Sequence, residues 1–186
     1  MVNPSSYCEF VASLPAGSSS VHRRYHDQVY GFPVRGDKGL FERLILEINQ
    51  AGLSWTTILN KQPHFRRAYD GFSIEKVAGY GPRDERRLMS DTGIIRNRLK
   101  IQAAIQNARV VRALQKSHGS FRGWLDEQGL IPLKSWVALF RKTFRFTGGE
   151  ITREFLVSTG YLPGAHQDFC PVARRAQEAN PAWKKN

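Results

Sequence analysis

Apolar residues recur at helical spacing along most of the chain. Between 38 and 50, Phe41, Leu44, Ile45 and Ile48 fall on one face. Gly52 interrupts that pattern, and a second, short helix is predicted through Trp55, Ile58 and Leu59. Ser73 caps a turn through Ile74 and Val77, with Glu75 in the first turn, where the helix dipole favours an acid. Pro82 suits a first helical position and opens PRDERRLMSD. The longest predicted helix runs from about Arg96 to Ser117, with Ile101, Ala104, Ile105, Ala108 and Val111 as its buried stripe. His118-Gly119 ends it, and Ser120 can cap FRGWLDEQ. Residues 134–143 and 150–159 read as two more helices, the last closed by Gly160. No stretch sustains a strand-like alternation, so the fold class is all-α. AGSSS, residues 16–20, is expected to be a flexible surface loop. The organisation expected is an N-terminal arm over 1–7, a single domain over 8–170 and a flexible basic tail over 171–186.

Charge changes this picture at one place. The segment LILEINQAGLSWTTIL, 44–59, holds a single ionisable residue, Glu47, although the chain has 28 Lys+Arg against 16 Asp+Glu, a net charge of +12. A carboxylate inside an apolar run is costly unless a cation meets it. A partly exposed helix-end acid paired with a nearby arginine is the bland alternative. The excess positive charge favours a polyanionic partner, of which nucleic acid is the commonest. No apolar run is long enough to span a bilayer, and the N-terminus lacks the basic-then-apolar pattern of a secretory signal. A soluble, cytoplasmic, monomeric protein is expected.

DTGIIRNRLK, residues 91–100, lies between two predicted helices. Gly93 is expected to supply a positive φ in a tight turn, and Ile94 and Ile95 to anchor it. The amides opening the next helix, with Arg96, Arg98 and Lys100, would hold a phosphate without reading a base. This is the pattern of a helix-hairpin-helix DNA-binding element. An ordinary helical hairpin with solvated arginines fits the same residues.

Four stretches together resemble the 3-methyladenine DNA glycosylase I family: YHD at 25–27, LEINQAGLSW at 46–55, DTGIIRNRLKIQAAIQNAR at 91–109 and FRFTG at 144–148. The similarity covers roughly residues 8–170. It implies an all-α helix-hairpin-helix glycosylase fold with a bound structural zinc, and hydrolysis of the N-glycosidic bond of N3-methyladenine in alkylated double-stranded DNA. It also implies that Glu47 is the acid of the purine pocket and that Tyr25 and Trp55 contact the base. Such a base carries positive charge, so an aromatic-lined carboxylate would prefer it to neutral adenine. Extruding a damaged base also costs less than extruding a normal one.

For the zinc, the resemblance implies Cys8, His26, His166 and Cys170. The His166-x3-Cys170 spacing lets an imidazole and a thiolate meet one ion, but on spacing alone two buried thiols and two surface histidines are the better reading, which the resemblance reverses. His22 could replace His26. The sequence also departs from the family pattern. Tyr30-Gly31 stands where a Trp-Gly pair is usual, so one aromatic wall is altered but kept. Phe10 matches in kind an aromatic after the first cysteine, and Tyr30 and Phe10 are both expected substrate-binding residues. GEITREFLV, 149–157, places three charges in a mostly uncharged helix. Those charges allow two other readings: a non-catalytic DNA-binding module, or a glycosylase for a bulkier alkyl-purine adduct. Alternatively they are solvated, with Glu150 and Arg153 paired at the surface.

Overall fold

The structure, a computed structural model, describes residues 6–15 and 20–185. Residues 1–5 of the expected arm and all but Ser20 of the expected AGSSS loop lie outside them. Among the described residues every regular element is an α-helix or a short 3-10 turn, with no strand. No described helix is long and apolar enough to cross a membrane. The sequence predicts one domain over 8–170; by packing, the chain divides into a compact unit over 35–155 and a second unit built from both chain ends, up to 34 and from 156.

The 35–155 unit begins with α3, Asp37–Gln50, and α4, Trp55–Ala68. It follows α1, Tyr7–Ala12, and α2, Val21–Gln28, of the other unit. Then come α5, Ile74–Ala78, α6, Pro82–Ser90, and the long α7, Arg98–His118. The α7 stripe of Ile101, Ala104, Ile105, Ala108 and Val111 is buried as its spacing predicts, and α7 packs on α3, α5, α6 and α8. The turn after α4 bends sharply: Asp70, Gly71 and Phe72 all have positive φ. This seats Phe72 fully buried, stacked on Tyr69.

Helices α8, Phe121–Glu127, α9, Leu133–Thr143, and α10, Gly149–Ser158, enclose an aromatic cluster of Phe121, Trp124, Phe140, Phe144 and Phe155. Two polar clasps fix their placement. Asp37 accepts from the Phe121 amide at 2.8 Å, the Arg122 amide at 3.0 Å and Gln115 Nε2 at 2.8 Å, so a carboxylate from α3 satisfies the open amides of α8. Asn107, wholly buried on α7, donates to Arg145 O at 3.0 Å and accepts from Arg145 N at 2.8 Å, which pins the FRFTG segment.

In the other unit, Ser6 and Ser20 cap α1 and α2. The expected flexible tail is a correction. Residues 173–178 form α11, Ala173–Glu178; Val172, Ala173 and Ala176 are buried; and Trp183 N donates to Gly160 O at 3.3 Å. Small apolar residues at i, i+1 and i+4 make a narrow buried face, which the charges of Arg174, Arg175 and Glu178 mask in sequence. Gly160, with φ +78°, permits the approach, since a Cβ there would lie 3.1 Å from the Pro181 Cβ.

Replacing Asp37 by alanine removes an acceptor for three donors. The expected loss is about 1–3 kcal/mol of stability, read as a lower urea midpoint, with Asp37→Asn losing less.

Candidate metal centre and nucleic-acid interface

Four ligand atoms converge in the unit built from the chain ends. Cys8 comes from α1, His26 from α2, and His166 and Cys170 from the segment before α11; their Sγ and ring nitrogens all lie within 4.8 Å of one another. His26 Nε2 is 3.4 Å from Cys8 Sγ and 3.6 Å from Cys170 Sγ. His166 Nδ1 is 3.8 Å from Cys8 Sγ and 3.7 Å from Cys170 Sγ. A tetrahedron with Zn–S near 2.3 Å and Zn–N near 2.05 Å has sulfur–nitrogen edges of about 3.6 Å. The residues therefore fit a Cys₂His₂ ion.

The far nitrogen of each imidazole is held. His26 Nδ1 donates to Asp27 Oδ1 at 2.7 Å, and His166 Nε2 donates to Tyr30 O at 2.8 Å. These partners direct the His26 Nε2 and His166 Nδ1 lone pairs toward the thiols, as the outer partners of a metal site do. The Gln167 amide points at Cys8 Sγ from 3.5 Å. Burial pushes the Cys8 thiol up and the His166 imidazole down. Deprotonated sulfur without a cation would be poorly stabilised there, which is the chemistry a divalent ion corrects. His22 is not in the cluster: its Nδ1 lies 3.0 Å from the Tyr7 hydroxyl and its ring packs on Phe10.

The aromatic residues of this unit surround the cluster. Tyr25 and Tyr30 are 6% and 9% exposed. Tyr7 packs edge-on against His26 and Tyr30, and Tyr30 against His166. Phe10 lies with its ring centroid 4.9 Å from that of His22.

In the 35–155 unit, Glu47 lies on α3 and is 4% exposed. The carboxyl group is therefore not a partly exposed helix-end acid. Arg43, one turn earlier on the same face, is 6% exposed. Gly52, with φ +80°, turns the chain after α3, and Ser54 caps α4 by accepting from Thr57 N. Leu53 at the turn is 38% exposed, and Trp55 is half-buried at the start of α4.

The 91–97 hairpin joins α6 to α7. Ile94 is buried and Ile95 half-buried, while Arg96 and Arg98 are exposed. Two expectations are corrected. Gly93 is not among the residues with positive φ. It is closely approached by side chains, since a Cβ there would lie 2.6 Å from His64 Nδ1 and 2.9 Å from Asp91 Oδ1. Lys100 is 5% exposed and donates to Asn49 O at 2.9 Å and Ala51 O at 2.7 Å. Its ammonium thus caps the end of α3 and does not face a phosphate. Burial lowers its pKa.

A family model described as methyladenine glycosylase matches residues 16–129. The DNA-3-methyladenine glycosylase of Haemophilus influenzae is 32% identical, covering 83% of this chain and 94% of its own. The chain belongs to the methyladenine glycosylase family. Escherichia coli DNA-3-methyladenine glycosylase 1 is 44% identical over a stretch covering 52% of each chain. Among solved structures, a tyrosine-to-phenylalanine variant of 3-methyladenine DNA glycosylase I in complex with 3-methyladenine is 29% identical, with TM-score 0.78, covering 90% of this chain and 97% of that one. The Staphylococcus aureus enzyme, studied for 3-methyladenine recognition, is 29% identical with TM-score 0.74, covering 84% and 94%.

Relative to the glycosylase family pattern, the three charges of α10 form a surface network. Arg153 pairs with Glu150 at 3.6 Å and also with Glu154, and the Glu150 side chain is 79% exposed. Two polar contacts beside the candidate residues differ in how far the sequence reveals them. Asp27 was legible as the neighbour of His26. Lys61, which donates to Thr92 O at 2.9 Å and Gly93 O at 3.2 Å, was not, because its partners lie some thirty residues away.

Gly31→Ala should weaken the metal cluster. Gly31 has φ +80°, and a Cβ there would lie 2.5 Å from the Ala165 Cβ, next to His166. The expected result is a stability loss of about 1 kcal/mol or more together with weaker metal binding by the Cys/His cluster in a chelator competition titration.

Proposed function

We propose that this protein is a monofunctional DNA glycosylase that hydrolyses the N-glycosidic bond of N3-methyladenine, or a related cationic alkylpurine, in double-stranded DNA. Family membership supports this reading, and the observation that carries it within the chain is Glu47, 4% exposed in a protein of net charge +12. A carboxylate held out of water favours a cationic base over a neutral one, because little solvent screens the attraction. The alkylated base is already activated, since its departure neutralises it. The protein therefore needs to bind and orient the extruded base more than to protonate it. Trp55 is the proposed stacking partner in the same unit. Tyr25 and Tyr30 keep the base-contact role that the family resemblance implies.

Hydrolysis by water is favoured over an amine nucleophile. Residues 44–59 contain no lysine, and the buried Lys100 ammonium is engaged by two backbone carbonyls. The α6–α7 hairpin is proposed as a helix-hairpin-helix element in which Gly93, Ile95, Arg96 and Arg98 meet the DNA backbone. Zinc is the proposed ion of Cys8, His26, His166 and Cys170; with four protein ligands it has no open position and its role is structural. When bound, it fixes the thiolates and imidazoles of two chain ends to one point. The charges of α10 lie in a surface ion-pair network, so they do not favour a bulkier adduct or a loss of catalysis.

Purified protein incubated with methylated DNA should release N3-methyladenine, identified by mass spectrometry. Glu47→Gln should lower the single-turnover rate at least tenfold while retaining DNA binding; wild-type-like release by this variant would reject the pocket assignment. Elemental analysis should give about one zinc per chain, lost in Cys170→Ala. Substituting Arg96 or Arg98 by alanine should weaken binding to all sequences and reduce the salt slope by about one. An unchanged slope in both would reject the hairpin assignment.

A further inference from the structure

The first turn of α7 inverts the usual rule of burial. Leu99 is 65% exposed and its neighbour Lys100 is 5% exposed. Local preference is violated twice at adjacent positions, a pattern that marks functional sites more than ordinary core. The helix dipole also disfavours a cation in a first turn. Lys100 lies there, yet its ammonium reaches the last carbonyls of α3, where a cation is favoured.

A second lysine makes the reciprocal contact. Lys61 on α4 donates to Thr92 O and Gly93 O, the carbonyls at the hairpin tip. So the hairpin helix holds the end of α3, and α4 holds the hairpin. Between the two lies the turn 51–54, which has little packing of its own. Nothing lies within 4 Å of a Cβ placed on Gly52, and Leu53 is 38% exposed. The turn is flanked in sequence by Glu47 and Trp55. A methionine at 100 would fill similar space but leave the Asn49 and Ala51 carbonyls without this donor, so Lys100→Met is expected to lower stability as well as remove the hold on the turn. What an ammonium adds is a directional hold on two carbonyls at once.

We propose that Lys100 and Lys61 form a reciprocal clasp coupling the hairpin to the 51–54 turn, with Lys100 a positioning residue for base excision. The proposal rests on the glycosylase reading. Hairpin seating on a DNA backbone then fixes the turn that separates Glu47 from Trp55, without either lysine touching DNA.

The test compares wild type, Lys100→Met and Lys61→Met on two substrates, well below their unfolding midpoints. Affinity for undamaged duplex is measured against salt concentration, and single-turnover release of N3-methyladenine from methylated duplex is measured with enzyme in excess. The clasp predicts at least a tenfold slower release in Lys100→Met and a smaller loss in Lys61→Met. It also predicts unchanged undamaged-duplex affinity and salt slope in both. A slope reduced by about one in Lys100→Met would make its ammonium a phosphate contact and overturn the proposal. Wild-type release rates in both variants would overturn it also. Should Lys100→Met not fold, Lys61→Met decides by the same two readouts, because its half-buried side chain lies nearer the surface. A wild-type protein that releases no N3-methyladenine removes the glycosylase reading and with it any excision role for Lys100, an outcome visible before any variant is measured.

Discussion

A carboxylate buried at 4% exposure in a strongly cationic chain is the constraint on which the proposed function depends. Removing Glu47 from water raises the cost of its charge and the reward for meeting a cation. Leu44, Ile45 and Ile48 bury the rest of the face, Asn49 donates to Ile45 O at 2.8 Å, and Lys100 closes the helix end. The helix is thus held rigid where the chemistry would require little displacement.

The positive charge of the chain is divided between two tasks. Some cations hold backbone carbonyls of the fold. Lys100 and Lys61 do so around the hairpin, Arg109 donates to Ala78 O at 2.9 Å and Tyr80 O at 3.2 Å, and Arg87 donates to Ala68 O at 2.8 Å. Others, such as Arg96 and Arg98, stay exposed. Net charge therefore overstates the phosphate-binding surface, because a guanidinium or ammonium already donating inside the protein contributes field but not contact. The unit built from the chain ends has a different economy. There the order comes from ligand atoms brought to one point, with Asp27 and the Tyr30 carbonyl fixing the imidazoles.

The long helices were legible because their signals are local. The α3 and α7 stripes repeat at 3.6 residues over several turns, and Ser73, Pro82 and Ser120 mark starts that the structure keeps. The short α1, α2 and α11 were not legible, since six to eight residues give too few turns for a period to emerge. Their stability comes from packing instead. Gly93 does not have the left-handed backbone that its place between two helices suggests. The close neighbour found there is the His64 side chain of α4, distant in sequence.

By itself, the sequence determined the helical class, the caps, the residues that place the chain in its family and the Cys and His types able to hold an ion. Each of these depends on residue identity and near spacing. Only the tertiary structure decided that His26 and not His22 joins the cluster, that Lys100 turns inward while Leu99 faces out, and that the residues after 171 fold. The physical reason is common to all three. Helical periodicity fixes which residues share a face, but what a face meets depends on elements far along the chain. A histidine, a lysine or a run of alanines acquires its role from that partner.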